Sequence, residues 1–136
     1  MCIRDRYSAS PAATLAALNL LADLPVSPDA RRIAVLGDMR ELGDHTEIGH
    51  RKVGQRAADV VAKLVTVGPL ARLIADEALN AGMTPSNVAQ VDDNTGAVTV
   101  LQGMVQRGDL VLVKGSRALH LEEIVTALSR SDSEGA

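Results

Sequence analysis

The sequence predicts an α/β protein whose mostly parallel sheet is covered by helices on both faces. Short apolar runs rich in β-branched residues alternate with longer segments in which apolar residues recur at helical spacing. The runs lack polar–apolar alternation, which is typical of parallel strands buried on both faces. The 136 residues correspond to one domain, and their hydrophobic content of 46% includes one Tyr and no Phe or Trp. This core of small aliphatic side chains favours close packing of helices on a sheet.

The first predicted helix begins at Pro11 with Ser10 as its N-cap, because Ser and Pro favour these two positions. The helix ends near Leu24, since the residue before a proline avoids helical backbone angles. Its predicted apolar face consists of Leu15, Leu18, Leu21 and Ala22.

Four predicted strands follow, separated by helices. The strands are Arg32–Leu36, Leu64–Val67, Val88–Val91 and Leu110–Val113. A helix from an N-cap at Thr46 to about Lys63 has a predicted apolar face of Ile48, Val53, Ala57 and Val60. The later helices are predicted from about Leu70 to Gly82, from Asp93 or Asn94 to Gly108, and after Ser116 with Leu119, Ile124 and Leu128. The order of the strands in the sheet does not follow from these patterns.

Composition excludes several classes of function. The formal net charge of −3 and the scarcity of aromatic side chains argue against a nucleic-acid surface. The single Cys2 excludes an internal disulfide and fits a reducing compartment, and no apolar run approaches the length of a membrane span. We therefore expect a cytoplasmic protein. No P-loop or dinucleotide-binding glycine pattern occurs in the chain.

The stretch V-L-G-D-M-R-E-L-G, residues 35–43, places polar groups directly after the first strand. The carboxyl ends of parallel strands are where open α/β sheets bind ligands. We expect Asp38, Met39, Glu41 and Leu42 to form a ligand loop whose carboxylates bind an ammonium group or a cation. The alternative is that the acidic residues only complement the dipole of the next helix. We expect no metal site, because His45 and His50 are five residues apart and would not share one helical face.

A second candidate site follows the L-V-L-V strand and consists of Lys114, Gly115, Ser116 and Arg117. Gly115 allows close backbone approach, and Ser116 can cap the last helix. The free N–H groups of that helix, with the two cationic side chains, favour a carboxylate or phosphate. The alternative is an ordinary strand–helix junction with solvated cations. Both candidate sites would lie at the same edge of the sheet.

Three stretches together resemble the C-terminal domain of Mur ligases that join D-alanyl-D-alanine to UDP-N-acetylmuramoyl-tripeptide. They are residues 35–43 with His50 and Val53-Gly54, the segment V-L-V-K-G-S-R-A-L-H-L-E-E-I-V at 111–125, and Y-S-A-S-P at 7–11. The third stretch departs from the family pattern Y-N-A-N-P, since Ser replaces both Asn residues. The resemblance implies a Rossmann-like domain at residues 7–128. The charged segment M-C-I-R-D-R predicts a non-native leader at 1–6, and the polar residues at 129–136 predict a disordered tail.

The family resemblance also implies a reaction. ATP phosphorylates the terminal carboxylate of the UDP-linked tripeptide, the amine of D-alanyl-D-alanine attacks the acyl phosphate, and phosphate leaves. The family enzyme has three domains, so we expect this chain to be inactive alone, to lack a complete catalytic set and to bind no cofactor by itself. ATP and Mg²⁺ belong to the full-length enzyme. The resemblance further places Asp5, Tyr7, Ser8 and Ser10 near the nucleotide.

Two other functions remain open from the sequence. One is a domain of another amide ligase of the same superfamily, of the folylpolyglutamate or cyanophycin type. The other is a free-standing α/β binding or regulatory module.

Overall fold

The computed structural model describes residues 10–115 and the backbone of residues 2–4. Its strands are β1 (Cys2–Arg4), β2 (Arg32–Gly37), β3 (Lys63–Val67), β4 (Val88–Val91) and β5 (Leu110–Lys114). Its helices are α1 (Pro11–Asp23), α2 (Thr46–Val60), α3 (Arg72–Asn80) and α4 (Asn94–Met104). Short 3₁₀ turns cover Gly43–His45 and Pro85–Asn87. The predicted last helix and tail lie outside the described residues.

The described strands form one sheet in the order β1-β5-β2-β3-β4, and all neighbours are parallel. This confirms the predicted parallel sheet and supplies the strand order that the sequence left open. β1 adds a strand before the first predicted helix. The central strands β5 and β2 are buried on both faces, which accounts for their continuous apolar runs.

The two faces of the sheet carry two separate apolar cores. Helices α1, α2 and α3 cover one face and α4 covers the other, so the prediction of helices on both faces is confirmed. Alternate residues of β2 illustrate the division: Ala34 and Leu36 face the three helices, whereas Ile33 and Val35 face α4.

The helix α2 buries Val53 and Ala57 as predicted, whereas the predicted Ile48 is exposed. Val60 is partly buried and packs against the core. Gly49, His50 and Gly54 complete the buried face. A Cβ on Gly49 would lie 2.7 Å from Pro11 Cγ, and one on Gly54 would meet the carbonyl oxygen of Ile74, so both glycines let a neighbouring element approach closely. A polar residue and two glycines carry no apolar signal, so the periodicity identified only part of this face.

The caps of three helices can be compared with their predictions. Ser10 caps α1, since its Oγ accepts a hydrogen bond from Ala13 N at 3.1 Å. Asp93, rather than Asn94, is the N-cap of α4. The prediction for Thr46 is wrong: its hydroxyl donates to the carbonyl oxygen of Gly43, and α2 has no side-chain cap. The 3₁₀ turn before α2 continues directly into the helix and replaces a capping side chain.

A charged cluster ties together the elements at the amino-terminal edge of the sheet. Asp109, just before β5, accepts hydrogen bonds from the backbone N–H groups of Arg31 and Gln106 at 2.9 Å each. Its carboxylate also pairs with the Arg31 guanidinium at 3.0 Å, and the same guanidinium donates to the carbonyl oxygen of Met104. The cluster therefore joins the starts of β2 and β5 to the end of α4.

No helix within the described ranges is long and apolar enough to cross a membrane.

Candidate functional site at the carboxyl edge of the sheet

The two candidate turns leave the sheet side by side. In the parallel register, Leu36 of β2 pairs with Lys114 of β5 and with Thr66 of β3. The segment after β2 and the segment after β5 thus begin on adjacent strands, which are about 4.8 Å apart in any sheet. The structure therefore brings the beginnings of the two predicted sites together at one edge.

Asp38, the first residue after β2, is buried with only 1% of its surface exposed. Its Oδ1 accepts a hydrogen bond of 2.8 Å from the backbone N–H of Ala71, at the N-terminus of α3. Gly68 permits this contact, because a Cβ there would lie within 2.6–2.8 Å of the three carboxylate atoms. The described bond of Asp38 is thus directed into the domain and connects the loop after β2 to the loop after β3.

Met39 is held by both its backbone and its side chain. Its N–H donates to His50 Nε2 at 3.0 Å, and His50 Nδ1 lies 2.6 Å from the carbonyl oxygen of Thr46. An Nε2 that accepts carries no proton, so the imidazole is neutral, with its proton on Nδ1. The Met39 side chain lies in the core and accepts a 3.7 Å contact from the Thr14 hydroxyl.

The tip of the loop is exposed, in contrast to its buried base at Asp38 and Met39. Arg40 and Glu41 are exposed, and no ion pair or side-chain hydrogen bond within residues 10–115 involves either. Glu41 has a φ of +62°, a left-handed conformation that is uncommon for a residue with a Cβ. Leu42 is half-buried and packs against the core. The loop therefore presents two opposite charges on a base that is fixed at Asp38, Met39 and Leu42.

The helix-dipole alternative fits Asp44 and Glu47 but not Asp38. Asp38 binds the start of α3 rather than that of α2. Glu47 lies in the first turn of α2 and pairs with Arg51 at 3.0 Å. Asp44 lies in the 3₁₀ turn before α2, where its charge complements the helix dipole without a side-chain cap.

The second candidate site is described only in its first half. Lys114 is among the largest fully buried side chains, and Gly115 beside it is also buried. Ser116 and Arg117 lie outside the described residues, as do Asp5, Tyr7 and Ser8 of the predicted nucleotide contacts. Ser10 is described, and its hydroxyl caps α1.

The described residues offer no group of three or more His, Cys, Asp or Glu side chains that could hold a metal ion. Both ring nitrogens of His50 are engaged by the backbone, so this histidine is not available as a ligand. The Mg²⁺ implied by the resemblance does not fit the residues described here.

A family model of the Mur ligase glutamate ligase domain matches residues 1–117. The chain belongs to the Mur ligase C-terminal domain family. The match covers both candidate turns and includes β1.

Curated Mur ligases that share one name are similar to nearly the whole chain. The UDP-N-acetylmuramoyl-tripeptide–D-alanyl-D-alanine ligase of Bacillus subtilis (strain 168) is 35% identical over 95% of the chain. The ligase of the same name from Escherichia coli (strain K12) is 33% identical over 96% of it. The chain spans only 28% and 27% of these two proteins. It corresponds to a fragment of such a ligase.

Solved Mur ligase structures share the fold. The MurF ligase of Thermotoga maritima, crystallised with ADP, matches 99% of the chain with a TM-score of 0.77 and 25% identity, and the chain covers 30% of it. A MurF structure from Acinetobacter baumannii matches 93% of the chain with a TM-score of 0.76 and 25% identity, and the chain covers 28% of it. These matches confirm the α/β Rossmann-like class.

The role of His50 was missed at the sequence level. Its bond to Met39 joins two residues eleven positions apart across a loop, a spacing that neither helical nor strand periodicity reports. His50 and Gly54 are among the residues that carry the family resemblance, but the resemblance assigns no role to either. The structure shows that His50 holds the loop and that Gly54 lets α2 approach α3.

Proposed function

We propose that this chain acts as the C-terminal domain of an ATP-dependent ligase that adds D-alanyl-D-alanine to UDP-N-acetylmuramoyl-tripeptide in peptidoglycan synthesis. The observation that carries the proposal is the 35% identity over 95% of the chain to a ligase of that name. The fixed loop at residues 38–42, on the motif that carries the resemblance, supports it.

In the reaction that we propose for the longer enzyme, the tripeptide carboxylate attacks the γ-phosphorus of ATP, the bond from that phosphorus to the β–γ bridging oxygen breaks, and an acyl phosphate and ADP result. The dipeptide amine attacks this carbonyl, the C–O bond to phosphate breaks, and the amine loses a proton. Catalysis of this kind depends on positioning and on stabilising charge. We assign ATP, and Mg²⁺ with it, to the remainder of the enzyme, because the family resemblance places the P-loop in another domain and the chain itself contains no P-loop pattern.

We assign the two turns to the two ends of the dipeptide. The cationic turn at Lys114–Arg117 is the proposed site for its carboxylate, and the loop at residues 38–42 orients its amine end. Asp38 and Met39 contribute by fixing the base of the loop, because both are buried and bonded within the domain. Glu41 is the acidic side chain of this loop that is exposed. Ser116 and Arg117 enter this assignment from the sequence alone.

The test compares amine donors on the full-length ligase that contains this chain. With ATP and UDP-N-acetylmuramoyl-tripeptide, we expect product with D-alanyl-D-alanine and little with L-glutamate or aspartate. A preference for glutamate or aspartate would overturn the proposal in favour of a ligase of the folylpolyglutamate or cyanophycin type. Ligation by residues 1–136 alone would contradict the assignment of catalysis to the longer enzyme.

The assignment of the second turn has its own test. In the full-length enzyme, Lys114→Ala and Arg117→Ala should each raise the KM for the dipeptide. Asp59→Asn is the control, since Asp59 is exposed on α2 near the opposite edge of the sheet. An unchanged KM in both variants would place the carboxylate site elsewhere.

A further inference from the structure

His50 is a fully buried polar side chain that the proposed reaction does not use. It lies one turn into α2, on the buried face that also contains Val53 and Ala57. Its two ring nitrogens bind two backbone groups, the N–H of Met39 and the carbonyl oxygen of Thr46. The imidazole therefore connects the loop base to the first turn of α2.

We propose that His50 is a positioning residue, which holds the loop in the conformation that presents the Glu41 carboxylate to the ammonium or amine group of the incoming dipeptide. This inference rests on the proposed function. His50 does not touch the substrate; it acts through the backbone of Met39, two residues before Glu41.

The backbone of Glu41 is the reason that the loop needs this support. A residue with a Cβ at φ +62° occupies a sparsely populated region, and such conformations persist only where the surroundings enforce them. Two hydrogen bonds fix the residues just before Glu41. The Asp38 carboxylate accepts from the Ala71 N–H, and the Met39 N–H donates to His50. Glycine at position 43, with a φ of +57°, follows it without strain. The loop is thus constrained on the side of His50 and permissive on the other.

The charge at the tip indicates what the loop presents. Glu41 has no described side-chain partner, and neither has Arg40 beside it. A carboxylate that is exposed, has no partner among residues 10–115 and stands on a constrained backbone suits a compact cation, for which the ammonium group of an amino-acid donor is the available example.

The hydrogen-bond pattern of His50 gives a matched pair of variants. In His50→Gln, the amide oxygen lies near the place of Nε2 and can still accept from the Met39 N–H. In His50→Asn, the shorter side chain replaces Nδ1 and keeps only the donor to Thr46. We expect Gln to preserve the loop and Asn to release it, whereas a histidine that only filled space would tolerate both equally.

The first readout is spectroscopic and needs no turnover. In the ¹⁵N spectrum of the full-length protein, His50 should show a protonated Nδ1 and an unprotonated Nε2. The Met39 amide should exchange slowly in the wild type and in His50→Gln, and rapidly in His50→Asn. The opposite tautomer, or equal exchange in both variants, would overturn the inference.

The second readout is a kinetic cycle on the full-length ligase. We expect Glu41→Gln and His50→Asn each to raise the KM for the dipeptide by about tenfold, which is the loss of one charge-assisted contact. The KM for ATP should not change. The double variant should be no worse than either single one, because His50 acts through Glu41. Additive effects, or a rise in both KM values, would overturn the positioning role.

Wild-type turnover separates this inference from the proposed function. If the wild-type enzyme uses a different amine, the proposed function fails, and the same cycle run with that amine still tests His50. Asp59→Asn is again the control, since it removes an exposed carboxylate of α2 far from the loop. A shift in the control as large as that in Glu41→Gln would contradict a local role for the tip.

Discussion

Each edge of the sheet contains a buried aspartate that accepts a hydrogen bond from the backbone N–H of a distant segment. The surroundings of the two aspartates differ. At the amino-terminal edge, Asp109 binds Arg31 and Gln106, and its charge is balanced by the Arg31 guanidinium. At the carboxyl edge, Asp38 binds Ala71, and the loop beyond it exposes Arg40 and Glu41. The aspartate of the amino-terminal edge joins β2, β5 and α4, whereas the aspartate of the carboxyl edge supports an exposed loop.

This contrast shows how one fold can place stabilising contacts and a candidate binding loop at different edges. A carboxylate paired with a guanidinium and two backbone donors stabilises the junction of β2, β5 and α4. Each edge leaves one buried polar atom without a partner in the described part of the chain, Arg31 Nε at the amino-terminal edge and the Thr66 hydroxyl at the carboxyl edge. The carboxyl edge carries in addition the left-handed backbone of Glu41, which costs stability. Sites that are costly to fold are commonly those that bind ligands.

The largest effect is expected at the amino-terminal edge. Asp109→Ala should lower the free energy of unfolding by about 3 kcal/mol, because it removes the partner of a partly buried guanidinium and the acceptor of two backbone N–H groups. Urea unfolding of the chain measures this. Asp59→Asn, at an exposed site, should change stability by less than about 0.5 kcal/mol. A loss in Asp109→Ala no greater than in this control would break the contrast between the edges.

The pH dependence sharpens the same prediction. Burial alone would raise the pKa of Asp109, but the Arg31 guanidinium and the backbone N–H groups outweigh it and lower that pKa. The stabilisation is therefore complete above the ordinary aspartate pKa and is lost as pH falls through the lower, folded-state value. The stability difference between wild type and Asp109→Asn should be constant from about pH 7 to pH 5 and narrow below about pH 4. If the stability difference widened in acid, the folded-state pKa of Asp109 would be raised rather than lowered.

At the carboxyl edge, Asp38→Ala should cost about 2 kcal/mol, since it leaves the Ala71 N–H and the start of α3 without their buried acceptor. Hydrogen exchange at the Ala71 amide, together with urea unfolding, measures the loss. Asp38→Asn keeps an oxygen acceptor and should cost less than the alanine variant. Equal losses would show that the charge, rather than the hydrogen bond, holds α3 to the loop.

The sequence predicted the framework better than the site. Four of the five strands, and the start of α1 at Pro11, came from apolar runs and cap residues, which are local signals. The strand order came only with the structure, because pairing between β5 and β2 depends on contacts far apart in the chain. The contacts that fix the base of the loop could not be predicted for the same reason, since they also join residues that are far apart in the chain. His50 reaches Met39, and Asp38 reaches Ala71, across segments that no periodicity links.

Thr66→Val tests the cost of burying a hydroxyl at the carboxyl edge. Unlike the preceding variants, it is expected to stabilise the protein. Thr66 pairs with Leu36 on β2 and with Gln90 on β4, and its buried hydroxyl has no hydrogen-bond partner among the described residues. Replacing it by a methyl group of the same shape should raise the free energy of unfolding by about 1 kcal/mol. Thermal unfolding measures the gain. Thr99→Val is the control, since that hydroxyl is exposed and bonds to the Thr95 carbonyl oxygen. A destabilised Thr66→Val would mean that the hydroxyl is satisfied.

The smallest stability effect is expected at the tip of the loop, and it is the one that most directly separates the two edges. Glu41→Gly removes the cost of a left-handed conformation at a residue with a Cβ, so it should stabilise the folded chain by up to about 1 kcal/mol, partly offset by the flexibility that glycine gives the unfolded chain. In the full-length ligase the same variant should raise the KM for the amine donor. Glu41→Asn, which tolerates this backbone conformation with less added flexibility, should show the same opposition. A gain in stability with unchanged KM would leave the strain at Glu41 without a function, and the two edges would then differ only in how well they are packed.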